Sequence, residues 1–281
     1  KPRLASMPVS SLWCRDGFSS PTFRYLYRLP NDPAYLSGKS QLRERLARHR
    51  SVGLTLIHWV ESWAGRIGRD WRALCKGIGM ADVTHLIAWL DEALTKPELV
   101  PDIRERHPSM TAHEAYQLQA GVMDARVARG DKVFGYKAAL TSAAMQAQIG
   151  IGQPLLGTLL QSRLFTDGAT VSLSEHGFMR ATLEPEIAVV LSRDLSGPSL
   201  RTSDVHSAIA GYLPAIELGD YRTEEAVGRT LVGSVVCNTF NGGTVLGRTM
   251  TPPSLGLDLC LEGMTMKLNG EPVGSGTGIE V

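Results

Sequence analysis

The sequence predicts an α+β fold that is sheet-dominated and barrel-like, with a helical segment on its N-terminal side. Apolar residues recur at helical spacing from Ala81, and a capping box formed by Thr111 and Glu114 opens a second helix that runs to about Arg129. From Lys132 onward, short apolar runs are separated by glycines. These runs predict strands over residues 133–136, 171–173, 181–191, 211–218, 244–246 and 264–268. Only short helices are predicted between the strands, over residues 142–148, 203–208 and 224–229.

The totals describe an ordinary globular chain of 281 residues, with 43% hydrophobic residues, 20% charged residues and a formal net charge of +1. No global charge excess would draw it onto nucleic acid or a membrane surface. No apolar run approaches the roughly 20 residues that span a bilayer. The four cysteines include no Cys-x-x-Cys pair, so neither a disulfide framework nor a zinc site is predicted. We therefore expect a cytoplasmic protein without a membrane or nucleic-acid partner.

Charge is distributed unevenly along the chain. Residues 1–80 are rich in arginine and tryptophan and contain 14 lysines and arginines against 5 aspartates and glutamates. We expect them to be an extension that is disordered or not native to the domain, and residues 81–281 to form the domain. The basic stretch over residues 43–50 leaves nucleic-acid binding open as an alternative, although a solvated helix face is favoured. An organelle transit peptide is a minor alternative.

The most informative segment is Leu-Glu-Pro-Glu-Ile-Ala-Val-Val-Leu over residues 183–191. Side chains two apart on a strand share a face, so Glu184 and Glu186 point the same way, while Pro185 requires an edge strand or a strand start. Glu217 also ends an apolar strand. Neighbouring buried carboxylates are unfavourable unless a cation neutralises them or one is protonated. The three glutamates therefore predict a Mg²⁺ or Mn²⁺ site, with surface glutamates as the alternative.

Lys137 lies in Gly-Tyr-Lys-Ala-Ala-Leu-Thr-Ser, where a short strand meets a helix. A solvated lysine is the simpler interpretation of this position. At the end of an apolar strand, however, its cation would complement an anionic substrate, so Lys137 is the candidate catalytic residue. No glycine-rich stretch has the strand-loop-helix context of a nucleotide site, and residues 150–152 and 274–278 predict turns. We therefore expect no nucleotide cofactor.

Five segments together carry a resemblance to a known family. They are Gly-Tyr-Lys-x-x-Leu-Thr-Ser, the glycine-containing stretch after it, Leu-Glu-Pro-Glu-Ile, Pro-Ala-Ile-Glu-Leu-x-Asp-Tyr-Arg and Asn-Gly-Gly-Thr-Val-Leu-Gly, over residues 135–142, 148–154, 183–187, 214–222 and 241–247. In order and spacing they resemble the 2-keto-4-pentenoate hydratase / 4-oxalocrotonate decarboxylase branch of the fumarylacetoacetate hydrolase-like superfamily. The resemblance covers about residues 82–281.

The resemblance implies a metal-dependent lyase that acts on a small unsaturated 2-oxo acid in aromatic catabolism. Its Mg²⁺ or Mn²⁺ ligands would be Glu184, Glu186 and Glu217, and its active-site lysine would be Lys137. The reaction would be hydration of a 2-hydroxy-dienoate or decarboxylation of a 2-oxo-enedioate, with the metal stabilising an enolate. A homo-oligomer is also implied, as is a hetero-complex with a sister hydratase or decarboxylase.

Departures from the family pattern keep alternatives open. Leu155 stands where hydratases of this family usually have an aspartate, and Cys237 replaces another aspartate, which argues against hydration. The chain also ends before the last strands of family members, so we expect a domain truncated at its C-terminus. One alternative is an acylpyruvate C–C hydrolase, which the lack of histidine over residues 135–165 argues against. Another is a catalytically inactive truncated member.

Overall fold

The computed structural model describes residues 7–8, 80–195 and 200–278. The predictions for residues 1–80, including the basic stretch, thus lie almost entirely outside the described residues. Within the described ranges, none of the helices combines the length and apolar character that a bilayer span requires.

The described residues form six α-helices and ten strands, numbered in chain order, with short 3₁₀ turns between them. The helices are α1 Met80–Thr95, α2 Ala112–Ala128, α3 Ala143–Ile149, α4 Thr202–Ala208, α5 Glu225–Gly228 and α6 Leu231–Val236. The strands are β1 Met7–Pro8, β2 Val133–Ala139, β3 Leu155–Leu160, β4 Leu164–Thr166, β5 Thr170–Val171, β6 Ala181–Leu191, β7 Ile209–Asp220, β8 Asn241–Leu246, β9 Gly263–Leu268 and β10 Glu271–Thr277.

A four-stranded sheet is the centre of the described fold. Its order is β4-β8-β7-β6, with β4 parallel to β8 and the other neighbours antiparallel. Three two-stranded antiparallel sheets accompany it, formed by β2 with β3, β9 with β10 and β1 with β5. The mixed α+β prediction agrees with this architecture. The described strands do not close into a barrel, so the barrel-like detail stays a prediction.

Two prolines fit the positions that they occupy in the sheet. Pro185 lies in β6, which has only one neighbouring strand in the four-stranded sheet, as its missing N–H requires. Pro214 lies in the central strand β7, just beyond the last β7–β8 pair, Ala215 with Leu246. Its carbonyl still accepts a hydrogen bond of 2.8 Å from the N–H of Gly247. Because proline has no N–H to return, the regular pairing with β8 stops there.

The main core lies between the helices and β3. Fully buried Leu90 of α1 packs with Leu118 and Val122 of α2 and with Val235 of α6. The two long helices come close at Gly121, where a Cβ would lie 2.5 Å from the Ile87 Cδ1. Any larger residue at position 121 would therefore require the Ile87 side chain to move. A separate apolar cluster covers one face of the four-stranded sheet, around Leu218 and its neighbours.

Several elements differ from the sequence predictions. Strands β3, β4 and β10 and helix α6 were not predicted, because short apolar runs without alternation do not distinguish strand from helix. The prediction of turns over residues 274–278 was wrong, since most of them lie in β10 and pair with β9. A usable signal was present in Asn269-Gly270, whose positive φ angles of 51° and 90° form the two-residue hairpin turn before β10.

The capping box at the start of α2 provides a test of local stability. The Thr111 Oγ1 accepts a hydrogen bond of 3.3 Å from the Glu114 N–H, and the Glu114 carboxylate accepts one of 2.7 Å from the Thr111 N–H. Thr111→Ala should lower the free energy of unfolding by about 1 kcal/mol, measured by urea denaturation. His113→Ala, at an exposed position of the same helix, should change it by less than about 0.5 kcal/mol. Equal losses in the two variants would contradict the capping role.

Candidate metal centre

The three predicted glutamates meet on one face of the β6–β7 pair. Glu184 lies directly opposite Glu217 in the antiparallel register, and Glu186 lies two residues further along β6 on the same face. One carboxylate oxygen from each of the three lies within 4.8 Å of the others. The sequence pattern thus placed all three side chains correctly relative to one another. Their role as metal ligands stays a prediction.

Burial makes this arrangement unfavourable without a compensating cation. Glu217 is only 2% exposed, and Glu184 and Glu186 are half-buried. Loss of solvation, followed by the nearby charge of Glu217, raises the pKa of Glu184 and raises the pKa of Glu186 well above its usual value. Three carboxylates held this close therefore need positive charge nearby.

Lys137 supplies part of that charge from a different sheet. It lies in β2 and is buried, with its Nζ 2.6 Å from the Glu217 Oε2 and 3.3 Å from the Thr239 carbonyl oxygen, to which it donates. Burial by itself would lower the pKa of Lys137, but the three glutamates outweigh burial and raise it. The lysine is therefore held as an ammonium ion. A solvated lysine, the simpler interpretation of the sequence, does not describe this position.

A glycine on the neighbouring strand makes room for the lysine. Gly157 of β3 pairs with Lys137 of β2. A Cβ at position 157 would lie 3.0 Å from the Lys137 Cγ and 2.5 Å from the Thr239 Oγ1. Because these distances are shorter than ordinary contacts, any larger residue would displace the lysine or the turn beside it.

That turn is a left-handed segment that the sequence analysis did not identify. Asn238, Thr239 and Phe240 have φ angles of 51°, 49° and 62°, a conformation that each such residue adopts at a cost of roughly 1–2 kcal/mol. The Asn238 side chain holds the turn to β3 by accepting from the Thr158 N–H at 2.7 Å and donating to the Thr158 carbonyl at 2.9 Å. The asparagine, which tolerates this conformation, was the available signal.

Two further side chains hold the glutamates from the side of the turn. The Asn241 Nδ2 donates a hydrogen bond of 2.9 Å to the Glu217 Oε1. The Tyr221 hydroxyl donates one of 3.1 Å to the Glu184 Oε1, and its ring stacks on Phe240 with centroids 4.8 Å apart. Both residues belong to the segments that carry the family resemblance, but neither was singled out. Only the folded chain brings them to the carboxylates.

The donor set fits a hard divalent cation. Oxygens that share one Mg²⁺ lie at most about 4.2 Å apart, because each is about 2.1 Å from the ion. Closing the observed span of 4.8 Å to that value requires side-chain shifts below one ångström. The formal charges of three glutamates and one lysine sum to −2, which one divalent ion neutralises. A cavity that is partly open to solvent and lined by Lys137, Glu186 and Glu217 adjoins the cluster.

The Lys137 ion pair gives a testable consequence for the metal-free protein. In the presence of a chelator, Lys137→Met should lower the free energy of unfolding by about 3 kcal/mol, because it leaves buried carboxylates without their cation. Lys132→Met, which removes an exposed lysine from the same region, should change it by less than about 0.5 kcal/mol. Chemical denaturation measures both values. A Lys137→Met protein as stable as the Lys132→Met protein would contradict the charge balance described above.

Comparisons with known proteins identify relatives of this chain. Residues 133–281 match the family model for the fumarylacetoacetate (FAA) hydrolase C-terminal domain. The chain is 34% identical over 195 residues to 2-hydroxyhexa-2,4-dienoate hydratase of Comamonas testosteroni, covering 68% of this chain and 72% of that protein. It is 32% identical over 182 residues to 4-oxalocrotonate decarboxylase of Pseudomonas sp. (strain CF600), covering 65% and 67%.

The fold is similar to that of a solved relative. The structure of 4-oxalocrotonate decarboxylase from Pseudomonas putida G7, complexed with magnesium and adipate, matches with a TM-score of 0.65 and 29% sequence identity. The match covers 73% of this chain and 76% of that one. The family resemblance of the sequence is thereby confirmed. The chain belongs to the fumarylacetoacetate hydrolase C-terminal family, and its relatives include 2-keto-4-pentenoate hydratases and 4-oxalocrotonate decarboxylases.

Proposed function

We propose that this chain is a divalent-metal-dependent lyase that acts on a small unsaturated 2-oxo acid in aromatic catabolism. The reaction is hydration of a 2-hydroxy-dienoate or decarboxylation of a 2-oxo-enedioate. The observation that carries the proposal is the cluster of Glu184, Glu186 and Glu217 around buried Lys137, with a formal charge of −2 beside a cavity. Relatives named as hydratases and as a decarboxylase support the choice of chemistry.

The three glutamates would hold Mg²⁺ or Mn²⁺. When bound, such an ion supplies Lewis acidity for a substrate that carries a carboxylate beside a 2-oxo group. The side chains around the glutamates keep their carboxylates oriented. Tyr221 fixes one oxygen of Glu184, and Asn241 fixes one oxygen of Glu217. The hydrogen bond from Tyr221 leaves the second oxygen of Glu184 to face the ion, while the second oxygen of Glu217 contacts Lys137.

Lys137 is the proposed catalytic residue. Its ammonium group has three N–H donors, of which one points to Glu217 and one to the Thr239 carbonyl. The remaining donor is available to a substrate in the adjoining cavity. Because the neighbouring glutamates keep the lysine protonated, it would donate a hydrogen bond to oxygen that gains negative charge, and would not act as a base.

One observation favours the lyase over the acylpyruvate hydrolase. The hydrolase resemblance calls for a histidine that activates water beside the metal. His176 instead contacts the Ser172 carbonyl at 2.9 Å through its Nδ1 and packs edge-on against the Phe165 ring. It lines a cavity other than the one beside the glutamates. The inactive-member alternative differs from the lyase in turnover alone.

The proposal also covers the extent of the domain, the closure of the sheet, the localisation and the assembly. We propose that residues 81–281 act as one catalytic domain and that the sheet is completed in a barrel-like manner. We also propose a cytoplasmic homo-oligomer, with a hetero-complex with a sister hydratase or decarboxylase as the alternative assembly. Support for these points comes from the family resemblance and not from a contact in the described residues.

The decisive experiment is turnover by the full chain with Mg²⁺ or Mn²⁺. The substrates are 2-hydroxypenta-2,4-dienoate and 2-oxo-3-hexenedioate, whose loss is followed by absorbance. We expect one of them to be consumed only in the presence of metal. Glu184→Gln/Glu186→Gln should reduce both turnover and metal affinity, measured by calorimetry, by at least about 100-fold, since even outer partners of metal ligands contribute 10–100-fold.

The control for this experiment is Glu225→Gln, which removes an exposed glutamate paired with Arg229. It should retain both the turnover and the metal affinity of the parent. Folded protein that binds Mg²⁺ without consuming either substrate would favour the inactive-member alternative. Turnover that persists in the double variant would show that Glu184 and Glu186 are not required for the reaction.

Tyr221→Phe tests whether the phenol positions Glu184. The substitution removes the hydrogen bond to the Glu184 Oε1 but retains the ring that stacks on Phe240. We expect about tenfold weaker Mg²⁺ binding in calorimetry, with the free energy of unfolding nearly unchanged. Tyr212→Phe, in β7 and packed in another cluster, should bind Mg²⁺ as the parent does. Unaltered affinity in Tyr221→Phe would show that the hydroxyl does not position the ligand.

A further inference from the structure

A second cavity lies on the opposite face of the four-stranded sheet from the glutamates. Phe178 lines this cavity and packs in the apolar cluster around Leu218. Leu218 follows Glu217 directly in β7, so their side chains point to opposite faces. The space in the cavity that the centre of a water-sized molecule can reach is about 40 Å³, and the cavity opens to solvent. It shares Asn241 with the cavity in which the substrate is proposed to bind, and the other lining residues of the two cavities differ.

Three arginines line this cavity, and they differ in how their donors are used. Arg222 is fully engaged: its Nε donates to the Asp220 Oδ2 at 2.5 Å, and its two Nη atoms donate to the carbonyls of Lys96 and Gly177. Arg126 donates through its Nε to the Asp91 Oδ1 at 2.7 Å. Its Nη2 is buried and has no hydrogen-bond partner among the described residues. That nitrogen is an unfilled donor.

Arg163 has no carboxylate partner among the residues that the structure describes. Its Nη1 donates to the His176 carbonyl at 2.8 Å, and its guanidinium lies over the Phe178 ring at 6.0 Å. Burial, together with repulsion from Arg126 and Arg222, lowers the pKa of Arg163. Its positive charge is thus held close to two others of the same sign, and the weaker attraction of Asp220 and Asp131 does not outweigh burial and repulsion.

The single carboxylate that lines the cavity cannot compensate for this excess. Asp220 already accepts hydrogen bonds from the N–H groups of Met179 and Arg180, at 2.9 and 2.8 Å, and from Arg222. Asp220 pairs with Arg222, and Asp91, which is not part of the lining, pairs with Arg126, so the three guanidinium groups exceed their carboxylate partners by a formal charge of +1. Carboxylates and other oxyanions are the partners that guanidinium groups bind best, through parallel hydrogen bonds.

We propose that this cavity binds a small oxyanion, of the carboxylate, sulfate or phosphate type, between Arg163 and the free Nη2 of Arg126. The anion occupies the position where the lining lacks negative charge and where a buried donor lacks an acceptor. Such an anion has two sources, the bulk solution or the second carboxylate of a dicarboxylic substrate. A free anion is favoured, because none of the three arginines lines the cavity beside the glutamates.

The site is connected to the glutamates through one residue. Asn241 lines the anion cavity and also donates its hydrogen bond to Glu217. Occupation of the cavity can therefore affect how firmly Glu217 is held. The proposal does not depend on the lyase reaction, since it concerns arginines that the reaction does not use.

The test is thermal unfolding of the metal-free full chain with increasing sodium sulfate or sodium acetate. Ionic strength is held constant with the sodium salt of a bulky sulfonate that does not fit the cavity. We expect saturable stabilisation of the parent protein, and at least a tenfold weaker apparent affinity in Arg163→Gln. Sulfate also stabilises proteins non-specifically by exclusion from their surface. Arg193→Gln, an exposed arginine that contacts Asp204 and Ser207, controls for that effect and should respond as the parent does.

A second readout keeps the test clear if Arg163→Gln folds poorly. Without added oxyanion, Arg163→Gln should be as stable as the parent or more so, because it relieves repulsion among the arginines. Arg126→Gln should weaken anion binding as Arg163→Gln does. Identical anion responses in the parent and all three variants would overturn the proposal.

Binding of a dicarboxylate such as adipate to the Mg²⁺-loaded protein separates the two sources. Selective weakening of adipate, relative to a monocarboxylate, in Arg163→Gln would assign the arginines to the substrate and overturn the separate site.

Discussion

The balance of charge between three glutamates and one buried lysine is the constraint on which the rest of the site depends. The β6–β7 register places Glu184 opposite Glu217. Glu186 lies two residues further along β6 and therefore on the same face. Lys137 approaches from β2, in a different sheet, and contacts Glu217 at 2.6 Å. The ion pair therefore joins the β2–β3 sheet to the four-stranded sheet. The three glutamates and the lysine together keep a formal charge of −2, so the site favours a divalent ion over a monovalent one.

The left-handed turn at residues 238–240 is best understood as the structure that makes this balance geometrically possible. Three consecutive residues with positive φ are unfavourable on their own, and they persist because Asn238 is tied to Thr158 on both its donor and acceptor sides. In return, the turn presents the Thr239 carbonyl to Lys137 and the Phe240 ring to Tyr221. Local strain is thus concentrated where orientation of the charged groups matters most.

The sequence predicted the parts of the site that follow from period-two alternation. Glu184 and Glu186 share a face because they are two apart, and Pro185 required the edge strand that β6 forms. Lys137 and Glu217 were found because charges at the ends of apolar strands are costly unless paired. Tyr221 and Asn241 were missed because their roles depend on a left-handed turn that was not predicted, although Asn238 was a signal for it. Strand β10 was missed although Asn269-Gly270 marked its hairpin.

The same sheet separates opposite charges on its two faces. The glutamate face carries an excess of negative charge, and the face lined by Arg126, Arg163 and Arg222 carries an excess of positive charge. The two faces meet where β7 and β8 end, at Asp220 and Asn241, so neither excess is isolated from the other. Each face attracts the other through the strands, and each still lacks a counter-ion of its own. A cation on one face weakens that mutual attraction, and an oxyanion on the other compensates for the loss, which links the two sites through charge as well as through Asn241.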